Sequence, residues 1–127
     1  MNYLLDTHTA LWLFEGNEKL PQHTQEIIYN ADVDIYVSIV SAWEVAIKVS
    51  IGKLDFDGGV ATFLSAIEAN DIKLVGVKDD YVKKVETLPL IHRDPFDRLI
   101  IATAMSGKMT IITIDENIHE YDILWHW

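Results

Sequence analysis

Four acids, Asp6, Glu44, Asp97 and Asp115, are spaced so that a chain of alternating strands and helices would deliver them to one edge of a sheet. Carboxylate oxygens are hard ligands suited to Mg²⁺ or Mn²⁺, and four of them suffice for one or two ions. The chemistry implied is metal-assisted reaction at a phosphate, with no side-chain nucleophile required. Asp6 closes the apolar run Tyr3-Leu4-Leu5, and Asp115 closes Met109 to Ile114, so both are expected at carboxyl ends of strands. Glu44 and Asp97 are expected in the first turns of helices. Each acid also has a purely local use. Ser41-Ala42-Trp43-Glu44 reads as a capping box, Asp94-Pro95-Phe96-Asp97 as an N-cap with proline at N1 and an acid at N3, and Asp6 and Asp115 as caps of short helices. Capping and ligation are compatible. Unrelated caps would scatter over both ends of a sheet, whereas these gather on its carboxyl side, where open α/β sheets bind ligands. Without metal, carboxylates crowded together raise one another's pKa, a cost in stability that calls for a functional reason.

The elements that must position these residues follow from apolar spacing. Asn2 to Leu5 reads as a buried strand, Thr9 to Phe14 as a helix stopped by Gly16-Asn17, and a second helix follows Pro21. Ile35 to Val37 is a strand, Ala42 to Val49 a helix ending at Gly52, Asp55 to Gly59 a loop, Val60 to Ala69 a helix and Ile72 to Val77 a strand. Tyr81, Val82 and Val85 mark a helix that stops at Leu88-Pro89, and Phe96 to Met105 is an apolar helix ended by Gly107. Met109 to Ile114 is a buried strand, and Tyr121 to Trp127 supplies an edge strand. The alternation predicts an α/β fold with a mostly parallel central sheet, helices on both faces and right-handed crossovers.

With 127 residues, half of them hydrophobic, the chain is expected to form one domain over residues 1–127. The absence of cysteine excludes disulfides, thiolate metal sites and a cysteine nucleophile. The start Met-Asn-Tyr-Leu-Leu-Asp does not read as a signal peptide, and no apolar run approaches the roughly 18 residues of a membrane span. The expectation is a soluble cytoplasmic protein with no membrane partner. Twenty acidic against ten basic residues give a charge of −10, the wrong sign for gripping nucleic acid through phosphates alone. Four of those acids belong to the proposed site, so the surplus argues against tight non-specific binding rather than against cleavage. It also suits a basic protein partner.

The chain resembles the PIN-domain ribonucleases, specifically the VapC-like toxins of type II toxin–antitoxin pairs. The resemblance runs through Leu4-Leu5-Asp6-Thr7-His8, Ser41-Ala42-Trp43-Glu44 with Val45-Ala46-Ile47-Lys48, Leu88-Pro89, His92-Arg93-Asp94-Pro95-Phe96-Asp97-Arg98, and Thr113-Ile114-Asp115. The segment from His92 to Arg98 followed by Leu99-Ile100-Ile101-Ala102 is its most specific piece. The resemblance implies a PIN-like three-layer sandwich, RNA as substrate, Mg²⁺ or Mn²⁺ as one or two bound ions, a cognate antitoxin and homodimerisation. It places Asp6, Glu44, Asp97 and Asp115 at the family's four acids, with Asp94 as an extra acid whose role is N-cap, support for a ligand, or ligand.

Other residues carry weaker signals. Thr7 either orients a ligand or substrate phosphate or simply starts a helix, and Arg93 and Arg98 either contact RNA phosphates or balance the acids. Lys48, four residues after Glu44, is placed for a helical ion pair. His8, His23, His92, His119 and His126 show no paired zinc spacing; His8 and His92, beside the acids, read as packing or hydrogen-bonding residues. Gly52-Lys53 lacks the rest of a phosphate loop. Trp12, Trp43, Trp125 and Trp127 read as core more than as a base-stacking surface. Two other functions fit the acids less well: a Mg²⁺-binding phosphoacceptor signalling domain, which lacks a late-strand lysine here, and a PIN scaffold used as an interaction module.

Overall fold

The computed structural model describes residues 1–127. The elements in chain order are β1 (Asn2–Leu5), α1 (Thr7–Glu15), α2 (Gln22–Ile28), β2 (Asp34–Ser38), α3 (Ile39–Ser50), α4 (Gly59–Ala69), β3 (Lys73–Val75), α5 (Asp79–Thr87), α6 (Pro95–Gly107), β4 (Thr110–Ile112), α7 (Glu116–His119) and β5 (Trp125–His126). The five strands form one sheet in the order β3-β2-β1-β4-β5, and every pairing is parallel. Leu5 is in register with Val37 on one side and Ile112 on the other, so the three central strands end level. From β1 the chain winds outward to β2 and β3, then crosses back to lay β4 against the other side of β1. The reversal of order between β1 and β4 creates a crevice at their carboxyl ends, the usual ligand position in such sheets.

The core explains why the strands read as apolar runs. Leu5, Ile35, Val37 and Ile112 face a cluster with Leu11, Leu13, Val45, Phe63 and Ile67 from α1, α3 and α4. Leu4 and Ile111 face the opposite cluster with Ile100, Ile101 and Ile118 from α6 and α7. Adjacent strand residues thus point to opposite faces, both covered by helices, and each fully buried Leu or Ile contributes about 1.5–3 kcal/mol. No helix is long and apolar enough to cross a membrane.

The structure corrects several local expectations. Helix α3 begins at Ile39 because β2 runs into it without a loop, and Ser38 is the N-cap, its Oγ accepting from Val40 N at 3.0 Å. Ser41 lies inside the helix and Glu44 in its second turn, so they form no capping box. Gly107 is the last residue of α6, but the left-handed residue is Lys108, at φ 54°. Gly107 lies against the end of the Met109 side chain, whose Cε would be 2.7 Å from a Cβ placed there and would have to move aside. Strands β3 and β4 are shorter than their apolar runs, because the paired length is set by what lies alongside. Trp43 and Trp125 are exposed rather than core.

Candidate metal centre

Asp6 leaves β1 directly into the N-cap of α1, where Oδ1 accepts from Thr9 N at 2.9 Å. Its Oδ2 accepts from Thr113 Oγ1 at 2.5 Å, which ties the end of β1 to the segment after β4. Asp6 is 4% exposed, and burial pushes its carboxyl above the ordinary aspartate range despite the hydrogen bonds from Thr113 and Thr9. Thr113 was not singled out from the sequence; its signal is a hydroxyl residue at the first position beyond a buried strand.

Glu44 is equally buried, at 3% exposure, and both its oxygens are held. Thr7 Oγ1 donates to Oε1 at 2.7 Å and also approaches Ser41 Oγ at 2.9 Å, while Lys48 Nζ pairs with Oε2 at 2.5 Å. Thr7 is therefore more than a helix start: its hydroxyl joins α1 to α3. Partial burial works against the Lys48 ammonium, but Glu44, with Asp94 and Asp97 behind it, prevails and holds its pKa above the ordinary lysine value. Thr7→Val, which keeps the branched shape but deletes the donor to a buried carboxylate, is expected to cost about 1–3 kcal/mol in urea unfolding, with Thr7→Ser near the parent. Equal stability of Thr7→Val and the parent would refute this role.

Asp94 is the N-cap of α6, Oδ1 accepting from Phe96 N at 2.8 Å and Asp97 N at 3.1 Å. Pro95 takes N1, which leaves Asp97 at N3, facing the other acids. Burial, then the charges of Asp94, Glu44 and Asp6, push the Asp97 carboxyl up to about 7, with His92 opposing. Asp115 caps α7, Oδ1 accepting from Asn117 N at 2.8 Å. Its Oδ2 lies 3.2 Å from His92 Nε2, which also lies 3.0 Å from Asp97 Oδ2. His92 Nδ1 accepts the backbone N–H of Asp94 at 3.2 Å, so the neutral ring carries its proton on Nε2, aimed between the two carboxylates. Ligand atoms of His92, Asp97 and Asp115 lie within 4.8 Å of one another; Asp6 and Glu44 stand outside that group.

The two arginines separate. Arg98 is 9% exposed and spent on the protein itself. Its Nη1 donates to Pro89 O (2.9 Å), His92 O (3.2 Å) and Tyr121 Oη (3.2 Å), and its Nη2 to Val85 O (3.3 Å) and Leu88 O (3.4 Å). This corrects the expectation that Arg98 contacts RNA or balances the acids: it has no ion-pair partner and fastens the loop that carries His92 and Asp94. Tyr121 Oη, which also accepts His92 N at 2.8 Å, completes that fastening. Arg93 is exposed, as is His8.

The donor set suits a hard divalent cation. It offers carboxylate oxygens from four elements, with Asp97 and Asp115 on the open side at 17% and 31% side-chain exposure. Behind burial, the charges of Asp94, Glu44 and Asp6 also push Asp97 up, and that negative charge is what such a cation would relieve.

Comparison with known proteins agrees with this architecture. The family model described as PIN domain matches residues 3–124. Ribonuclease VapC22 of Mycobacterium tuberculosis is 27% identical over 119 residues, covering 93% of this chain and 90% of the relative. Among solved structures, VapBC2 from Rickettsia felis bound to a DNA fragment from its promoter superposes with a TM-score of 0.76 at 13% identity, covering 99% and 98% of the two chains. VapBC-5 from Mycobacterium tuberculosis, a member of the VapBC family of toxin–antitoxin systems, gives 0.58 at 20% identity over 93% and 88%. With a family model spanning nearly every residue, and a parallel five-stranded sheet in agreement with it, the chain belongs to the PIN domain family.

Proposed function

We propose that this protein is a Mg²⁺- or Mn²⁺-dependent endoribonuclease acting as the toxin of a type II toxin–antitoxin pair. The observation that carries the reading is the concentration of acids from the end of β1, α3, α6 and the turn after β4, where burial first and then the charges of Asp94, Glu44 and Asp6 push Asp97 up to about 7. The ribonuclease relative and the toxin–antitoxin assemblies among the structural neighbours support the RNA substrate and the antitoxin partner. Asp97 and Asp115 would hold one or two ions on the open side, with Asp6 and Glu44 behind them, directly or through water. Bound there, the metal would activate water and offset charge developing on the phosphodiester.

The chain's own residues supply rigidity. Thr9 and Thr113 fix both oxygens of Asp6, and Thr7 and Lys48 fix both oxygens of Glu44, so the buried acids cannot turn away from the open pair. The His92 N–H draws the Oδ2 atoms of Asp97 and Asp115 toward one point. The test is RNA cleavage with Mg²⁺ or Mn²⁺, with EDTA and Glu44→Gln as controls, followed by sequencing of RNA ends after brief induction in cells. Cleavage that survives EDTA, or is undiminished in Glu44→Gln, would sink the assignment. Homodimerisation and antitoxin binding are read by size exclusion with and without the neighbouring gene product.

Metal binding is also expected to depend on pH with a definite sign. Below about 7 the Asp97 carboxyl keeps its proton, which a cation must displace; above it, that competition ends. Millimolar Mn²⁺ should therefore raise the melting temperature more at pH 7.5 than at pH 5.5, approaching about 2.7 kcal/mol of stabilisation at 100 times the Kd. A larger gain at pH 5.5 would contradict the placement of Asp97 among the ligands.

A further inference from the structure

We infer that Lys53 and Lys48 form a phosphate subsite beside the acids, receiving an RNA phosphate that flanks the one being cut; this rests on the ribonuclease reading above. A cavity of about 100 Å³ opens next to Glu44 and Thr7, with His8, Lys48 and Lys53 on its walls. The local chain brings the two lysines together. At the end of α3 the backbone folds back through Gly52, at φ 74°, and Lys53 N and Leu54 N both donate to Lys48 O, at 2.8 and 3.1 Å. That turn returns the Lys53 side chain to the wall that Lys48 already lines.

Charge makes the placement informative. The chain has ten cations against twenty acids, and two of the ten share this one small cavity. Lys48 has a single ion-pair partner, Glu44, and its side chain is 34% exposed, so its ammonium faces both the acids and the opening. Lys53 is exposed and has no ion-pair partner. Holding the unpaired Lys53 ammonium beside the Lys48–Glu44 pair gains little in an isolated fold; a phosphodiester laid across the opening gives Lys53 a partner and adds a second one for Lys48. With Arg98 buried under its own loop, these lysines offset the repulsion between RNA and an acidic site on the Glu44 side, as the exposed Arg93 can on the side of the His92–Asp94 loop.

The experiment compares the parent with Lys53→Gln and Lys53→Arg, using a single-stranded oligoribonucleotide that spans a mapped cut, at saturating Mn²⁺ and a series of salt concentrations. Lys53→Gln is expected to raise KM roughly fivefold at low salt with the change falling on KM rather than kcat, and to reduce the slope of log KM against log salt by about 0.7. Lys53→Arg should stay near the parent, and the Mn²⁺ melting shift should be the same in all three. An unchanged KM and slope in Lys53→Gln, while the parent cuts RNA, overturns the subsite alone. Should the parent cut nothing, the ribonuclease reading fails separately. The subsite is then judged by fluorescence anisotropy of a labelled oligouridylate in Mn²⁺, where equal binding by parent and Lys53→Gln overturns it and weaker binding by the variant supports it.

Discussion

Asp97→Asn is expected to abolish metal-dependent RNA cleavage, by at least about a thousandfold, and at the same time to make the metal-free protein more stable at pH 8. The two effects have one cause. In the metal-free fold the Asp97 carboxyl is pushed from 3.8 to about 7, foremost by burial and then by Asp94, Glu44 and Asp6. The folded protein thus binds this proton more tightly than the unfolded chain does. Because the folded pKa is the higher, folding is favoured by protonation, and stability from this group falls as pH rises from about 4 to about 7. Asparagine removes the repulsion and its pH dependence, so the gain should be a few kcal/mol above pH 7 and small at pH 4. Thermal melts of parent and variant at both pH values, with and without Mn²⁺, measure it; the variant should also lose most of its Mn²⁺ shift. A variant less stable than the parent at pH 8 would mean that Asp97 is a favourable structural charge, and the metal assignment would lose its physical basis.

Arg98→Ala should be among the most damaging single changes to the fold. It strips the donors from four carbonyls and the Tyr121 hydroxyl at once, two of these bonds being fully buried. Unpaired acceptors and the packing lost with a buried side chain together are expected to cost about 2–4 kcal/mol, a large part of the stability of an ordinary domain. Arg98→Lys should recover only part of this, because one ammonium cannot span five acceptors in the plane that a guanidinium covers. Urea unfolding gives the magnitude, and hydrogen exchange should show the loosening concentrated at the amides of residues 88–94. A loss under about 1 kcal/mol in Arg98→Ala would refute the fastening role.

Much of the fold was legible because burial on both sheet faces leaves runs such as Leu4-Leu5 and Ile111-Ile112, which strand periodicity finds directly. Helices α1, α2 and α5 carried their own signals in a capping acid, a proline and an amphipathic pattern. The capping box at Ser41 was misread for a specific reason: a strand that enters a helix without a loop leaves no turn residues, and the cap falls on Ser38, which also reads as strand. Lys48 opposite Glu44 was foreseeable because a helical ion pair depends only on local spacing. Arg98 was not, since its acceptors are backbone carbonyls that carry no residue signature. The same holds for His92, whose place between Asp97 and Asp115 depends on the loop fastened by Arg98, and for Thr113, which meets Asp6 only through sheet order.

That sheet order sets a timetable. β1 is made first and sits in the middle of the finished sheet, but one of its two neighbours, β4, is made near the end. During synthesis, the edge of β1 that awaits β4 has only β2 on its other side, and Asp6 lacks the hydroxyl of a residue 107 positions downstream. At ribosomal speeds of about 5–20 residues per second, the delay between Asp6 and Asp115 is on the order of 5–20 seconds. A nascent chain therefore passes through most of its own translation without an assembled acid centre, and whatever that centre does can begin only once the last strands have joined the sheet.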